Sequence, residues 1–292
     1  MANRLLDRIR AAMRRVPPAD RAERAIITLT TDFGLEDGFV GVMKGVIWAI
    51  CPGAQIADLS HAIPPQDIPA ASRLLRRAAA FFPPGTVHLA VVDPGVGTAR
   101  RPLAARIGAH FFVAPDNGLL TPWINLAESA GETPEIVQLD NPRTWLATVS
   151  RTFHGRDMFA PAAAYLACGV ALAELGTAIS DPVRIPFSTP EQTAEGWRAH
   201  VTAIDHFGNL ATDLQAEVLN GAGAVRIRVA GREIAGLVAA YGERPAGELV
   251  ALVDSAGTLE IAVVNGSAAR LLGAQAGDSV EVLVAGRDKE VK

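Results

Sequence analysis

From Arg24 onward, short apolar runs alternate with helically spaced ones. Ala25 to Thr31 is β-branched and apolar, and Asp32-Phe33-Gly34 breaks it, which predicts a strand ending in a turn. Phe39, Val42, Met43, Val46, Ile47 and Ile50 then recur at three- and four-residue intervals until Pro52-Gly53, the pattern of a helix and its stop. A second strand is expected over Gln55 to Leu59, and a second helix from about Asp67 to Phe82, with Asp67 as N-cap and Pro83-Pro84-Gly85 as terminator. Val87 to Val92 reads as a strand buried on both faces, Phe111 to Ala114 as another, and about Arg156 to Gly169 as a helix that Asp157 could cap. Strands alternating with helices in this way form βαβ units. The expectation is an α/β fold with a mostly parallel sheet flanked by helices.

The pattern changes after Pro182-Val183-Arg184-Ile185-Pro186 and Ser188-Thr189-Pro190, which read as a linker. Beyond it, Val225 to Val229, Leu249 to Val253 and Leu259 to Val263 are short runs separated by glycine-bearing turns, the signature of a small all-β domain. The expected division is an arm over 1–24, an α/β domain over 25–186, a linker over 187–195 and a small β domain over 196–288. The arm is Arg-rich, with Leu5, Leu6, Ile9, Ala12 and Met13 at roughly helical spacing before Pro17-Pro18. It reads as a surface addition, with contact to a membrane or an acidic partner as the alternative.

At 292 residues and 49% apolar composition the chain can bury a substantial core. A formal net charge of −4 supplies no broad pull toward nucleic acid. The expectation is a cytoplasmic protein without nucleic-acid or membrane partners, because no apolar run is long enough to span a bilayer and no leader pattern opens the chain. Cys51 and Cys168 each lie in an apolar stretch, which argues for buried thiols in a reducing compartment and against a disulfide frame or zinc cluster.

Candidate chemistry is concentrated in turns after strands. Thr31-Asp32-Phe33-Gly34, Asp93-Pro94-Gly95-Val96-Gly97, Pro115-Asp116-Asn117-Gly118 and Phe153-His154-Gly155-Arg156-Asp157 are such segments, and Asp205-His206-Phe207-Gly208-Asn209 follows much later. Loops at the carboxyl ends of parallel strands converge on one crevice, where ligands bind. Each segment also has a plain structural reading: Asp32 as a strand-ending turn residue, His154 as a satisfied core histidine, Asp157 as a helix cap. The glycines at 95 and 97 match neither a phosphate loop nor a dinucleotide fingerprint. A metal site built from Asp32, Asp93, His154, Asp157, Asp205 and His206 is disfavoured by ligand spacing and by the nearby Arg100, Arg101 and Arg156. No nucleophile elbow is present, so covalent catalysis is not expected.

Together and in this order, the five segments, with Gly41-Val42-Met43-Lys44-Gly45, resemble the S-adenosyl-L-methionine (SAM) hydrolase family, also called SAM hydroxide adenosyltransferases and related to the fluorinases and chlorinases. The resemblance covers residues 25 to 286 and leaves out the arm. It implies a larger α/β domain joined to a smaller barrel-like β domain, and a homotrimer binding its small-molecule substrate, SAM, between the large domain of one subunit and the small domain of the next. No metal and no cofactor are implied. By the same resemblance, Asp93, Arg100 and His154 are the catalytic set around the attacking water, and Asp32 holds the ribose hydroxyls. Asp37, Asp205 and Ser255 fall where the methionine part is held. Phe207, Asn209, Tyr241 and the turn of Asn265, Ser267 and Ala268 fall where adenine is held, and Asn117 joins the substrate-binding group. The implied reaction is hydrolysis of SAM to adenosine and L-methionine, with a SAM-dependent halogenase or a non-catalytic SAM or adenosine sensor as alternatives.

The departures bear on that choice. The halogenases carry a tyrosine at the position of Asp93 and a halide-holding serine at that of Gly155, and Phe39 and Ala256 replace polar residues that contact the methionine part there. A carboxylate repels halide and accepts hydrogen bonds from water, which favours hydrolysis. Arg100 beside Asp93 is expected to lower the carboxyl pKa and make it a weak base, leaving open whether Asp93 deprotonates water or orients it.

Overall fold

The computed structural model describes residues 25–221 and 223–284; the Arg-rich arm and the last residues of the expected β domain lie outside them. By internal contacts the chain divides after Ile185.

The N-terminal unit runs β1 (Ile26–Thr31), α1 (Phe39–Ile50), β2 (Gln55–Ser60), α2 (Ile68–Ala78), β3 (Val87–Val91), β4 (Pro102–Ile107), β5 (His110–Pro115), α3 (Thr121–Ser129), β6 (Glu135–Gln138), a π-helical turn (Gly155–Phe159), α4 (Ala160–Ala167) and β7 (Thr177–Ala178). One sheet has the order β2-β1-β3-β5-β4-β6-β7. β2, β1, β3 and β5 are mutually parallel, as the alternating pattern predicts, while β4 runs antiparallel to β5 and β6. Every residue of β3 is buried, because helices cover both faces. Met43 and Ile47 of α1 and Ala163 of α4 fill one face, and Leu75 of α2 and Ile124 of α3 the other. Asp67 caps α2 by accepting from the Ala70 N–H at 2.8 Å.

Two expectations fail in this unit. Cys51 and Cys168 are joined in a disulfide. Cys51 ends α1 and Cys168 ends α4, and packing of these helices brings their Cα atoms to 5.9 Å, although 117 residues separate them. Cys168 is exposed, and the cysteine argument for a reducing compartment falls away. Asp157 does not cap the helix through its first-turn N–H groups. Its fully buried carboxylate accepts from Ser150 N–H (2.7 Å) and Arg156 Nε (2.5 Å), tying the loop before the π-helical turn to the turn itself.

The C-terminal unit contains β8 (Glu191–Thr193), β9 (Gly196–Ile204), β10 (Leu210–Gln215), β11 (Val225–Val229), β12 (Arg232–Ala235), β13 (Leu249–Val253), β14 (Thr258–Val263), α5 (Ala268–Leu272) and β15 (Ser279–Val284). β8 lies in the segment expected as linker. The strands form an antiparallel, nearly closed barrel-like sheet in the order β12-β11-β15-β9-β10-β14-β13, with β8 added to β9. Inward residues such as Val201, Leu210, Ile227, Ile261 and Val280 fill its core. Among the described residues no helix is long and apolar enough to cross a membrane.

Candidate active site

β1 and β3 are parallel neighbours with Thr31 opposite Val91, so the chains continuing into Asp32 and Asp93 leave the sheet side by side. This is also where the strand order reverses, since the chain passes from β1 to β2 on one side and then from β2 to β3 on the other side of β1. A cavity of about 400 Å³ opens there, lined by Asp32, Phe33, Phe39, Pro65, Gln66, Asp93, Pro94 and Val96.

The turn after Asp93 folds on itself. Val96 N–H reaches the Asp93 carbonyl (3.2 Å), Thr98 Oγ1 donates to the Gly95 carbonyl (2.7 Å), and Arg100 N–H reaches Thr98 Oγ1 (3.3 Å), which returns Arg100 over Asp93. Gly97 is required here: φ is +76°, and a Cβ would stand 2.2 Å from the Arg151 carbonyl oxygen. That close approach sets the turn against the loop leading to His154. Arg100 Nε donates to Asp93 Oδ1 at 3.0 Å, and Nη2 makes a second, short bond to Oδ2, giving a bidentate pair with side chains only 5–7% exposed. Nη2 also lies 3.2 Å from His154 Nδ1, while Nη1 is buried with no protein partner.

The electrostatics differ from the expectation. Burial pushes the Asp93 carboxyl above the usual carboxylate range, outweighing the opposing effect of Arg100. The correction to the expected lowering is therefore one of solvation, which the sequence neighbours alone do not reveal. His154 is held below its ordinary value, first by burial and then by the Arg100 charge. A neutral ring with Nδ1 accepting from Arg100 follows, its proton on Nε2.

Phe33, Phe39 and Phe153 meet edge to face at centroid distances of 5.2–6.1 Å and wall the site. Gly155 lies beneath them; a Cβ there would stand 3.2 Å from the Phe153 ring, 3.3 Å from Met43 Sδ and 3.4 Å from the Phe33 ring. Any side chain at 155 thus has to displace aromatic or thioether atoms.

Other expected residues lie apart from this cluster. Asn117 spends its amide on the Val92 carbonyl (2.9 Å) and the Leu119 N–H (3.3 Å), bracing the strand end that carries Asp93. Asp37 is exposed in the turn before α1. Within the C-terminal unit, Asp205 Oδ1 accepts from Phe207 N–H (2.9 Å) and Asn209 N–H (2.8 Å), and Oδ2 from Asn209 Nδ2 (3.0 Å). Gly208 lies against Ser267, and Ala269 N–H donates to the Gly208 carbonyl (2.9 Å), so this turn and the one of Asn265, Ser267 and Ala268 pack together. Tyr241 donates to the buried Glu260 at 2.6 Å, and its hydroxyl is pushed up to about 12, chiefly by that bond, with Asp205 and Asp254 adding smaller repulsions. Ser255 is exposed on the β13–β14 turn beside Asp254.

Sequence reasoning missed Pro65 and Gln66. The available signal was their place in the loop after β2, beside β1 at the same end of the sheet. Among the described residues no group of three His, Cys, Asp or Glu side chains could hold a metal ion.

Comparison with known proteins bears on this geometry. Residues 27–176 match the family described as SAM hydroxide adenosyltransferase N-terminal domain, and residues 199–281 match its C-terminal domain. A Salinispora tropica protein named (R)-S-adenosyl-L-methionine hydrolase is 43% identical over 260 residues, covering 88% of this chain and 97% of its own. A fluorinase from an Actinoplanes strain is 34% identical over 225 residues, covering 68% of this chain and 74% of its own. A crystal structure of an uncharacterized conserved protein from Thermotoga maritima superimposes with a TM-score of 0.81 at 38% identity, covering 88% of this chain and 99% of that one.

Proposed function

The chain belongs to the SAM hydroxide adenosyltransferase family, and from that premise we propose that it hydrolyses SAM to adenosine and L-methionine. Water attacks the ribose 5′ carbon, the C–O bond forms as the C–S bond breaks, the electron pair leaves on sulfur as a neutral thioether, and the proton that the water sheds passes to Asp93 or to solvent. The leaving group needs no protonation, so the protein's task is to place water in line and hold the electrophile still. The observation that carries this reading is the buried, arginine-clamped Asp93 on the wall of the cavity that Asp32 also lines.

Burial makes Asp93 a stronger base than a solvated carboxylate, and Arg100 fixes its orientation. The unpartnered Arg100 Nη1 supplies a donor for the water oxygen, since a buried N–H without a partner costs about 1–3 kcal/mol. Neutral His154 holds Arg100 from the other side. Asp32 takes the ribose hydroxyls. The C-terminal turns, with Asp205, Phe207, Asn209, Tyr241, Ser255, Asn265, Ser267 and Ala268, serve adenine and the methionine part from a neighbouring subunit of a homotrimer, and Asp37 completes the set, while Asn117, its amide bonded to Val92 and Leu119, serves the site by bracing the strand end that carries Asp93. The resemblance and the exposure of Phe207 (72%) support that assignment.

The halogenase alternative fits less well, because a halide-holding serine at 155 would press on Phe33, Met43 and Phe153. Chromatography of SAM incubated with enzyme in chloride or fluoride separates the two: adenosine with methionine supports hydrolysis, and a halogenated nucleoside overturns it. Sedimentation checks the assembly, a trimer being expected.

A further inference from the structure

The loop of residues 61–67 and the turn after β1 are stitched together by hydrogen bonds at both ends of Asp32. His61 is 6% exposed, and its Nδ1 lies 2.8 Å from Thr31 Oγ1, which also accepts from Phe33 N–H at 3.3 Å. The His61 carbonyl accepts from Gly34 N–H at 2.9 Å. Asp32 sits between these anchors, and its Oδ2 accepts from Gln66 N–H at 2.8 Å. Gln66 takes φ +66°, a left-handed conformation uncommon for a residue with a side chain, at the wall of the cavity. Behind His61, Nε2 stands 3.1 Å from Asp58 Oδ1 as an electrostatic contact, and Asp58 Oδ2 accepts from Lys44 Nζ at 2.6 Å.

We propose that His61 is a positioning residue for substrate binding, acting through Thr31 to hold the Asp32 carboxylate in the orientation that receives the ribose hydroxyls. The imidazole and the carbonyl of one buried residue grip the turn on either side of Asp32, and Gln66 N–H pins one carboxylate oxygen and leaves the other for ligand. Without the grip, Asp32 would have to be ordered each time substrate bound, and that cost falls on affinity. Asp93 is placed by a separate, self-bonded turn after β3, so the chemical step is spared. This inference rests on the reading of Asp32 as the ribose carboxylate.

The test is a double-mutant cycle. His61→Ala is expected to raise KM for SAM, and the calorimetric Kd for adenosine, by about tenfold, one hydrogen-bonded link, with kcat within about twofold. His61→Asn, whose amide occupies the place of Nδ1, should recover most of the affinity. In an Asp32→Ala background His61→Ala should add nothing, because its target is gone. Thr31→Val breaks the same link from the other side and gives the answer should His61→Ala fail to fold. If Asp32→Ala itself leaves both constants unchanged, the ribose reading fails. If Asp32→Ala weakens binding while His61→Ala and Thr31→Val do not, or if their effects add in full to that of Asp32→Ala, the positioning role is overturned. A merely structural histidine would lower thermal stability without this split between KM and kcat.

Discussion

The two units present polar groups in opposite ways. In the N-terminal unit, the Asp93 and Arg100 side chains are withdrawn from solvent and bonded to each other, the half-buried His154 bonds to Arg100, and burial moves the Asp93 and His154 pKa values. In the C-terminal unit, Phe207 and Tyr241 stand 72% and 43% exposed on turns whose polar groups bond within the turn or to a buried carboxylate beneath. Withdrawal suits a reacting group, whose basicity and orientation must be set before substrate arrives. Exposure on a braced turn suits recognition, where an aromatic face has to be free to stack. Chemistry and recognition should therefore separate when each region is altered.

The largest expected effect is at the withdrawn end. Asp93→Ala should lower kcat by about 10²–10⁴-fold while SAM affinity stays within about threefold; equal losses in both would place Asp93 in binding. Next comes the disulfide, which belongs to the N-terminal unit alone. Cys168→Ser should reduce stability by about 2–4 kcal/mol, read by denaturant unfolding, with faster hydrogen exchange in α1 and α4 and none in the C-terminal strands. Faster exchange in the barrel-like sheet would contradict the separation.

At the exposed end, Phe207→Ala should raise KM by roughly 5–100-fold, one stacked base, with kcat little changed. A fall in kcat without a change in KM would move Phe207 into the chemical step. The smallest effect is on pH dependence. Because burial raises the Asp93 pKa above 3.8 in the ligand-free protein, the base is lost as pH falls through that higher value, and the acid limb of the kcat/KM profile, which reports the free enzyme, should lie above the ordinary carboxylate value. Arg100 is the largest influence opposing burial, so Arg100→Gln should move the limb upward. A downward movement would contradict the ordering of these causes.

Much of this contrast was legible in the sequence, because β-branched runs that stop at Asp32 and Asp93 declare both the strands and the turns after them. The barrel strands β11, β13 and β14 were legible for the same reason, with glycine-bearing turns between short apolar runs, whereas β8 fell in the segment read as linker. β4 was not: Leu103-Ala104-Ala105-Arg106-Ile107 carries a weak strand signal, and it is pairing with β5 and β6 that makes it a strand. The Cys51–Cys168 disulfide depends on two helix ends meeting, which no local pattern encodes. The roles of His61 and Gln66 depend on a loop crossing to a neighbouring strand end. The direction of the Asp93 shift depends on burial, a property of the folded chain that its nearness to Arg100 in sequence obscures.

The most direct test of the central claim is mass spectrometry of products formed from SAM in 18-oxygen water, with and without halide, beside an Asp93→Ala control for spontaneous breakdown. The expected result is adenosine carrying the heavy oxygen at its 5′ hydroxyl together with unlabelled methionine, both lost in the control. Unlabelled adenosine, a halogenated nucleoside or unchanged SAM would contradict it.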